Sequence, residues 1–462
     1  LPPAKSPPKF ERGLLTDPGQ FTGSLERPGY RARMYPRPKT VSGEDALMPG
    51  AVAVDPKSGH VYIASMKNGT LYVLREPDAK EPKFHDFAQG LYQDCYSMLA
   101  ESDALYVLHR RNLTRLTDAN GDGVADHFDR VAGLPHAIAD AYDYPYGLVR
   151  NRNREFVWSY APHANRSLSG SGSAIRLQSD GSTREIGYGF RNPLGWTVGP
   201  DREIFFTDNQ GEWVASNKLC HLVEGRFHGY PNGEQKQHAS LPVAKPTVWV
   251  PYAWAKSING VTFDTTNGKF GPFAGQFFMA ELMFGGAIIR ADVEKVNGVY
   301  QGVCFPFWGS GLLGPVTFAF DSRGTLYVGS ITEPGWMAQP DRGGLFRIDY
   351  TGETPFEMRT IRVLPRGFRI HFTKPIAPES AVFQIESYRY EYTGAYGSPE
   401  LDRAKLGIER ITVAPDGLSA EVITSKLEVD RVYLITANGV RSKDGQMLVN
   451  PVGAYTVNEI PK

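Results

Sequence analysis

The stretch "GYGFRNPLGWTV", residues 187–198, sets a guanidinium beside a carboxamide inside a frame of glycines and a proline. Arg191 offers a permanent cation and a rigid donor fork that suits carboxylate oxygens. Asn192 both donates and accepts, which suits a hydroxyl. Gly189 and Gly195 would let the backbone come close to a ligand or to another chain segment. Two readings stand. The pair lines a pocket, or Arg191 pairs with Asp208 or Glu212 and closes a turn.

Similar short segments precede other strand-like runs. "YQDCY", "YDYPY" and "AKSIN" supply Tyr92, Asp94, Tyr144, Tyr146, Lys256 and Asn259 at equivalent places. Aromatic rings beside a cation, a carboxylate and amides suit a sugar, because rings stack on its C–H faces and polar groups fix its hydroxyls. His163, Asp208, Glu212 and His221 could move a proton there. A tyrosine can also act as base where a nearby arginine stabilises its phenolate.

A second motif is "DANGDGVADHFD". Asp118, Asn120 and Asp122 fall at loop positions 1, 3 and 5, and Gly123 at 6, where the chain must turn. Val124 would give its carbonyl at 7, with Asp126 at 9 and Asp129 at 12. Hard oxygen donors at this spacing can surround calcium. The loop resembles the EF-hand loop of dockerins, although no helical periodicity precedes it. It is expected to clip an inter-strand loop, and the alternative is an acidic turn.

The elements that must position these groups are strands. An apolar strand, a Gly/Pro/Asp turn and an aromatic-rich strand recur at 50–65, 96–109, 146–160, 194–208, 259–282 and 314–330. All-strand repeats spaced by roughly 45 to 65 residues predict propeller blades, since one such sheet cannot bury both faces alone. The expected fold is all-β: an extended segment over 1–45, a six-bladed β-propeller over 46–350, a linker at 351–355, and an Ig-like β-sandwich over 355–462. In a propeller, the segments that precede the innermost strands converge near the axis.

Bulk composition narrows the partners. Lys+Arg and Asp+Glu are both 50, so the chain lacks the basic balance that nucleic acid requires. No apolar run is long enough to span a membrane. Cys95, Cys220 and Cys304 form no CxxC, which argues against a redox dithiol and attached haem. They are expected as three buried thiols, or as one bridge and one thiol. The opening "LPPAKSPPKF" reads as a processed start, with export to the periplasm or outside the cell expected.

"GFRNPLG" followed by "FFTDNQGEWVASNKLCHLVEGRFHGYPN" resembles the glucose/sorbosone dehydrogenase superfamily, the soluble quinoprotein aldose dehydrogenases. Gly225, His228, Gly229, Tyr230 and Pro231 match the end of that motif. More narrowly, the chain looks like the divergent propellers of the "membrane-bound dehydrogenase domain" type in Planctomycetes-like bacteria, which carry a similar Ig-like tail. The resemblance implies a six-bladed propeller, export, calcium, a sugar substrate, pyrroloquinoline quinone (PQQ) and an electron acceptor, with Arg191 and Asn192 facing the quinone. The sequence departs from the family at three places. "DYPYGL" has Tyr146 where the family has its general-base His, "AELMFGGAIIR" lacks the quinone-binding Lys, and "GLLGPV" lacks the Arg residues. Two other functions therefore stay open: a cofactor-free polysaccharide lyase or glycoside hydrolase in the same pocket, and a non-catalytic glycan-binding protein.

Overall fold

Each recurring segment folds into an antiparallel sheet, and in four of the six the first hairpin is set by an Asx turn. Asp55 accepts the Lys57 amide at 2.7 Å, and Asp264 accepts the Thr266 amide at 2.7 Å. Asn151 and Asp321 accept the Asn153 and Arg323 amides, each at 3.0 Å. Asp and Asn side chains mimic a backbone turn in this way, which is why one of them heads these four hairpins. The computed structural model describes residues 25–38, 47–66, 69–91, 95–134, 144–161, 171–231, 233–283, 286–331 and 343–462.

The first blade contains Pro49–Val54, Val61–Ser65, Leu71–Leu74 and Phe84–Ala88, hydrogen-bonded in chain order. The second runs from Ser97–Glu101 to His127–Gly133 and the third from Pro145–Arg150 to Thr183–Tyr188. The fourth contains Trp196–Val198, Ile204–Asp208, Lys218–His221 and Val248–Trp249. The fifth runs from Ile258–Phe263 to Val299–Trp308. The sixth has Gly314–Phe320, Leu326–Ile331 and Gly343–Tyr350, and is completed from the other end of the chain by Tyr30–Met34 and Glu26–Arg27. Tyr30 pairs with Tyr350 and Met34 with Phe346. The strand-like "YRARM" of the N-terminal segment thus closes the ring.

Each inner strand contacts the next, and the sixth contacts the first, so the sheets form a six-bladed β-propeller. The inner strands meet closely. A Cβ on Gly195 would stand 2.4 Å from the Asn259 carbonyl oxygen, and one on Gly260 would stand 2.6 Å from that of Val316. Only glycine permits that approach between the fourth, fifth and sixth blades. The axis is accordingly narrow: a cavity of about 80 Å³ lined by residues of all six inner strands, Val52, Met98, Leu148, Trp196, Val261 and Thr317 among them.

Residues 358–457 form two further layers. One is the sheet of Met358–Leu364, Gly367–Phe372, Ser419–Thr424 and Ile408–Val413. The other contains Val452–Val457, Arg431–Thr436, Gln384–Arg389 and Leu401–Leu406, and it continues the fifth blade. Val303 pairs with Tyr455 and Cys304 with Ala454. Val303 and Phe305 of that blade share one core with Phe368, Tyr433 and Tyr455. Burying each such side chain contributes roughly 1.5–3 kcal/mol, so the two units are joined by a core as well as by a ladder. Beside it, buried Glu357 receives both Arg27 and Arg290, the latter at 3.1 Å.

Candidate functional site

Asp208 ends the second strand of the fourth blade and is fully buried. Its carboxylate accepts the Asn192 amide at 2.7 Å and the Arg191 amide at 3.4 Å. The backbone of "FRNP" is therefore pinned from beneath. Opposite Asp208 in the ladder stands Lys218, also fully buried, with its Nζ 3.8 Å from the carboxylate. Lys218 donates to the His228 carbonyl at 2.7 Å. Burial raises the Asp208 pKa. Burial alone would lower that of Lys218, but Tyr392, Cys220 and Asp208 together raise it. Tyr392 and Cys220 are themselves pushed up to about 12, mainly by burial, and stay neutral near pH 7. Burial opposes the Asp208 charge, while Lys218 and the Asn192 and Arg191 amides favour it.

The two halves of the sequence motif form one unit. Residues 226–230 run beside 188–189: the Tyr188 amide donates to Arg226, His228 to Tyr188, and Tyr230 to Gly189. Gly189 has φ +72°, and a Cβ there would stand 2.2 Å from the Phe227 ring. Gly229 leaves room for the ring of Tyr392, which arrives from the C-terminal unit. His228 is buried between Phe190 and Phe206, with ring centroids 4.9 and 5.0 Å away, and neither ring nitrogen has a hydrogen-bond partner among the described residues.

Burial holds the His228 pKa well below 6.5, whereas the unfolded ring titrates near that value. Below pH 6.5 the unfolded chain takes up a proton that the folded chain refuses. The stability contribution is whole above 6.5 and is lost as pH falls, by up to about 1.4 kcal/mol per unit. His228→Phe is expected to flatten that acid limb by one proton's worth. A denaturant titration from pH 7.5 to 5 measures it, and an unchanged slope would contradict the assignment.

Above the pinned turn, the Arg191 side chain is 12% exposed and pairs with Glu212 at 3.2 Å, whose own side chain is 50% exposed. Gly211 has no side chain, and the guanidinium occupies the place where its Cβ would be. The Asn192 side chain is partly exposed and has no hydrogen-bond partner among the described residues. A loop of the C-terminal unit joins this edge. The Trp213 amide donates to Thr393, the Gly397 amide to Gly211 and the Ser398 amide to Ala215, at 2.8 to 3.0 Å. Glu212 bridges Tyr396, and the Arg191 guanidinium lies 5.4 Å from the Tyr396 ring centre. Trp213 is held at φ 63°, a left-handed conformation that costs an L-residue roughly 1–2 kcal/mol.

The other expected residues are distributed as follows. Tyr144 and Tyr146 stand at the start of the inner strand of the third blade. They are buried, 3% and 6% exposed, and pack on Tyr96 with centroids 4.6 and 5.2 Å apart. The Asn259 amide turns to the Ser257 carbonyl at 2.9 Å, and its own carbonyl accepts Thr207. Lys256 is exposed, with its amide on buried Glu281. His221 pairs with Phe205, three residues along the strand from Asp208, about 10 Å away. There it packs on Tyr300 and stands 3.4 Å from Glu203, so it does not belong to this site. Tyr92, Asp94 and His163 lie outside the described residues. Cys95, Cys220 and Cys304 are buried and form no disulfide among the described residues. Lys218, Trp213, Tyr392 and Tyr396 belong to the site and were not singled out from the sequence.

The acidic loop closes on its own amides. Asp118 accepts the Gly121 and Gly123 amides at 2.8 Å, and Asp126 accepts those of Ala119 and Asn120. The Asn120 side chain donates to Asp122 and Asp126, between two carboxylates that a cation could otherwise bridge. Arg75 of the first blade already donates to the Gly123 carbonyl. Asp129 lies on the strand His127–Gly133, 3.6 Å from Arg115, and does not complete the loop. That strand begins too early for a twelfth ligand to turn inward. Among the described residues, no three His, Cys, Asp or Glu side chains stand together to hold a metal ion.

Among the described residues no helix is long and apolar enough to cross a membrane. No known family model and no curated protein matches the chain. Solved structures do. The PQQ-bound aldose sugar dehydrogenase of Streptomyces coelicolor matches with TM-score 0.50 at 15% identity, over 69% of this chain and 98% of its own. The soluble aldose sugar dehydrogenase of Escherichia coli, in its apo form, matches with TM-score 0.52 at 13% identity, over 70% and 99%. The holo PQQ domain of Coprinopsis cinerea pyranose dehydrogenase matches with TM-score 0.50 at 12% identity, over 75% and 99%. What the chain shares with these structures is the fold, a six-bladed β-propeller.

Proposed function

We propose that this propeller acts on carbohydrate as a sugar oxidoreductase, with its ligand held where Arg191, Asn192 and Glu212 meet. The observation that carries the reading is Asn192. Its backbone is fixed by Asp208 at 2.7 Å while its partly exposed side-chain amide has no partner among the described residues. A pre-positioned free amide beside an Arg–Glu pair suits vicinal hydroxyls, which both donate and accept. Glu212 is the carboxylate of this set exposed enough to accept a hydroxyl proton at its Oε atoms; Asp208 is sealed beneath.

PQQ is the cofactor that the resemblance and the neighbours suggest, and bound there it would supply the two-electron acceptor. The donor chemistry fits in part: Arg191 and Asn192 would hold its oxygens, and Glu212 would have to release the guanidinium. That ion pair favours a second reading, in which a neutral saccharide binds without quinone. Adding PQQ and calcium, then following the absorption spectrum and dye reduction over a sugar panel, separates them. A cofactor-dependent spectral change with dye reduction supports the oxidoreductase. Sugar binding with neither leaves the second reading, and no sugar binding overturns both.

The calcium reading of the loop, by Asp118, Asn120, Asp122, the Val124 carbonyl and Asp126, belongs to the same proposal and rests on donor spacing, since no three of its carboxylates stand together as the loop is now folded. The donors are hard oxygens, and a cation would displace the Asn120 amide from between its carboxylates. Millimolar calcium is expected to raise the melting temperature and a chelator to lower it, since the ion binds the folded loop. An unchanged melting temperature in both would leave an acidic turn.

A further inference from the structure

The clasp between residues 211–215 of the fourth blade and 393–398 of the C-terminal unit leaves two large rings in solvent. Trp213 is 39% exposed and Tyr396 47% exposed. Exposed aromatic rings cost solvation that folding normally recovers by burial. Here the backbone does the opposite: Trp213 adopts φ 63°, unusual for a bulky residue, and backbone hydrogen bonds to the clasp loop hold the segment in place. Gly394 lies under the indole, with its Cβ position 3.4 Å from the nearest ring atom. Tyr396 stands beside Arg191 and opposite Glu212. Strain, exposure and a polar pair therefore coincide at the rim of the proposed sugar site.

We propose that this clasp is a saccharide-stacking subsite, with Trp213 and Tyr396 as the rings and Arg191–Glu212 as the hydroxyl-binding pair, so that the ligand is an oligosaccharide rather than a single sugar. The inference rests on the sugar reading of the Arg191 site. The guanidinium and carboxylate neutralise one another, which selects for neutral hydroxyl-bearing rings over anions. The rings bind the C–H faces of a sugar, and the polar pair beside them fixes its orientation. The C-terminal unit then has a role in recognition: it brings Tyr396 to a blade that would otherwise present Arg191 without it.

The test is calorimetric binding of α-1,4- and β-1,4-linked glucose oligomers of one to six units to the full chain. The wild type is expected to bind the longer members of one series at least 10-fold more tightly than glucose. Trp213→Gly and Tyr396→Ala should erase that length dependence. Trp213→Gly should keep or raise the melting temperature, because glycine accepts the left-handed backbone without strain. Wild-type affinity that does not grow with length overturns the proposal, as do folded Trp213→Gly and Tyr396→Ala variants that keep it. Arg191→Ala reports on the underlying reading separately. If it leaves glucose affinity unchanged, the Arg191 reading fails and the subsite with it; if it lowers glucose affinity while wild-type affinity does not grow with length, the subsite alone fails.

Discussion

Asp208→Asn is expected to destabilise the chain by about 3–5 kcal/mol, the usual cost of removing one partner from a buried ion pair. Asparagine keeps one acceptor for the Asn192 amide but points an N–H₂ at Lys218 or at the Arg191 amide. Lys218 is then a buried ammonium that keeps the His228 carbonyl but has lost its carboxylate. The double variant Asp208→Asn/Lys218→Met should recover much of the loss, because no uncompensated charge remains. The measurement is the denaturant midpoint at constant m-value. A loss below about 1 kcal/mol for the single variant would show that burial has already neutralised Asp208, since asparagine would then resemble the protonated acid.

Much of the fold was legible because its signals are local. An Asx residue heading a hairpin and a β-branched or aromatic strand on each side can be read within fifteen residues. The closure of the sixth blade could not be read that way. Tyr30 meets Tyr350 across 320 residues, and "YRARM" is too short and too polar to announce its partner. Lys218 was missed for a related reason: nothing in "SNKLCH" announces a buried cation, and only the register that sets it opposite Asp208 explains its burial. The tyrosines of "YEYTGAYGS" were visible, but their target on the fourth blade was not. Asp129 shows the converse limit. The spacing is right for a twelfth ligand, but the strand that starts at His127 directs it to Arg115. Segments before the inner strands were read as one converging set. The structure divides them: Tyr144 and Tyr146 are core, Asn259 is backbone support, and Arg191 and Asn192 remain at an accessible edge.

Arg191→Ala is expected to weaken saccharide binding by about 10- to 100-fold, equivalent to roughly 1.5–3 kcal/mol for a charge-assisted contact, with little change in melting temperature. The stability half follows from how the turn is built. Asp208 holds the amides of residues 191 and 192, and alanine keeps both. The side-chain pair with half-exposed Glu212 is worth at most about 1 kcal/mol in solvent. The binding half follows from the same asymmetry: a guanidinium that the fold does not need is held beside a free amide by a buried carboxylate that the fold does need. Arg191→Lys should recover only part of the affinity, because an ammonium restores charge without the planar donor fork. Calorimetry with the tightest-binding oligomer, run beside thermal unfolding of each variant, decides the matter. Stability lost first, with binding following it, would make Arg191 a tie within the fourth blade. Unchanged affinity in a folded Arg191→Ala chain would reduce "GFRNPLG" to a turn.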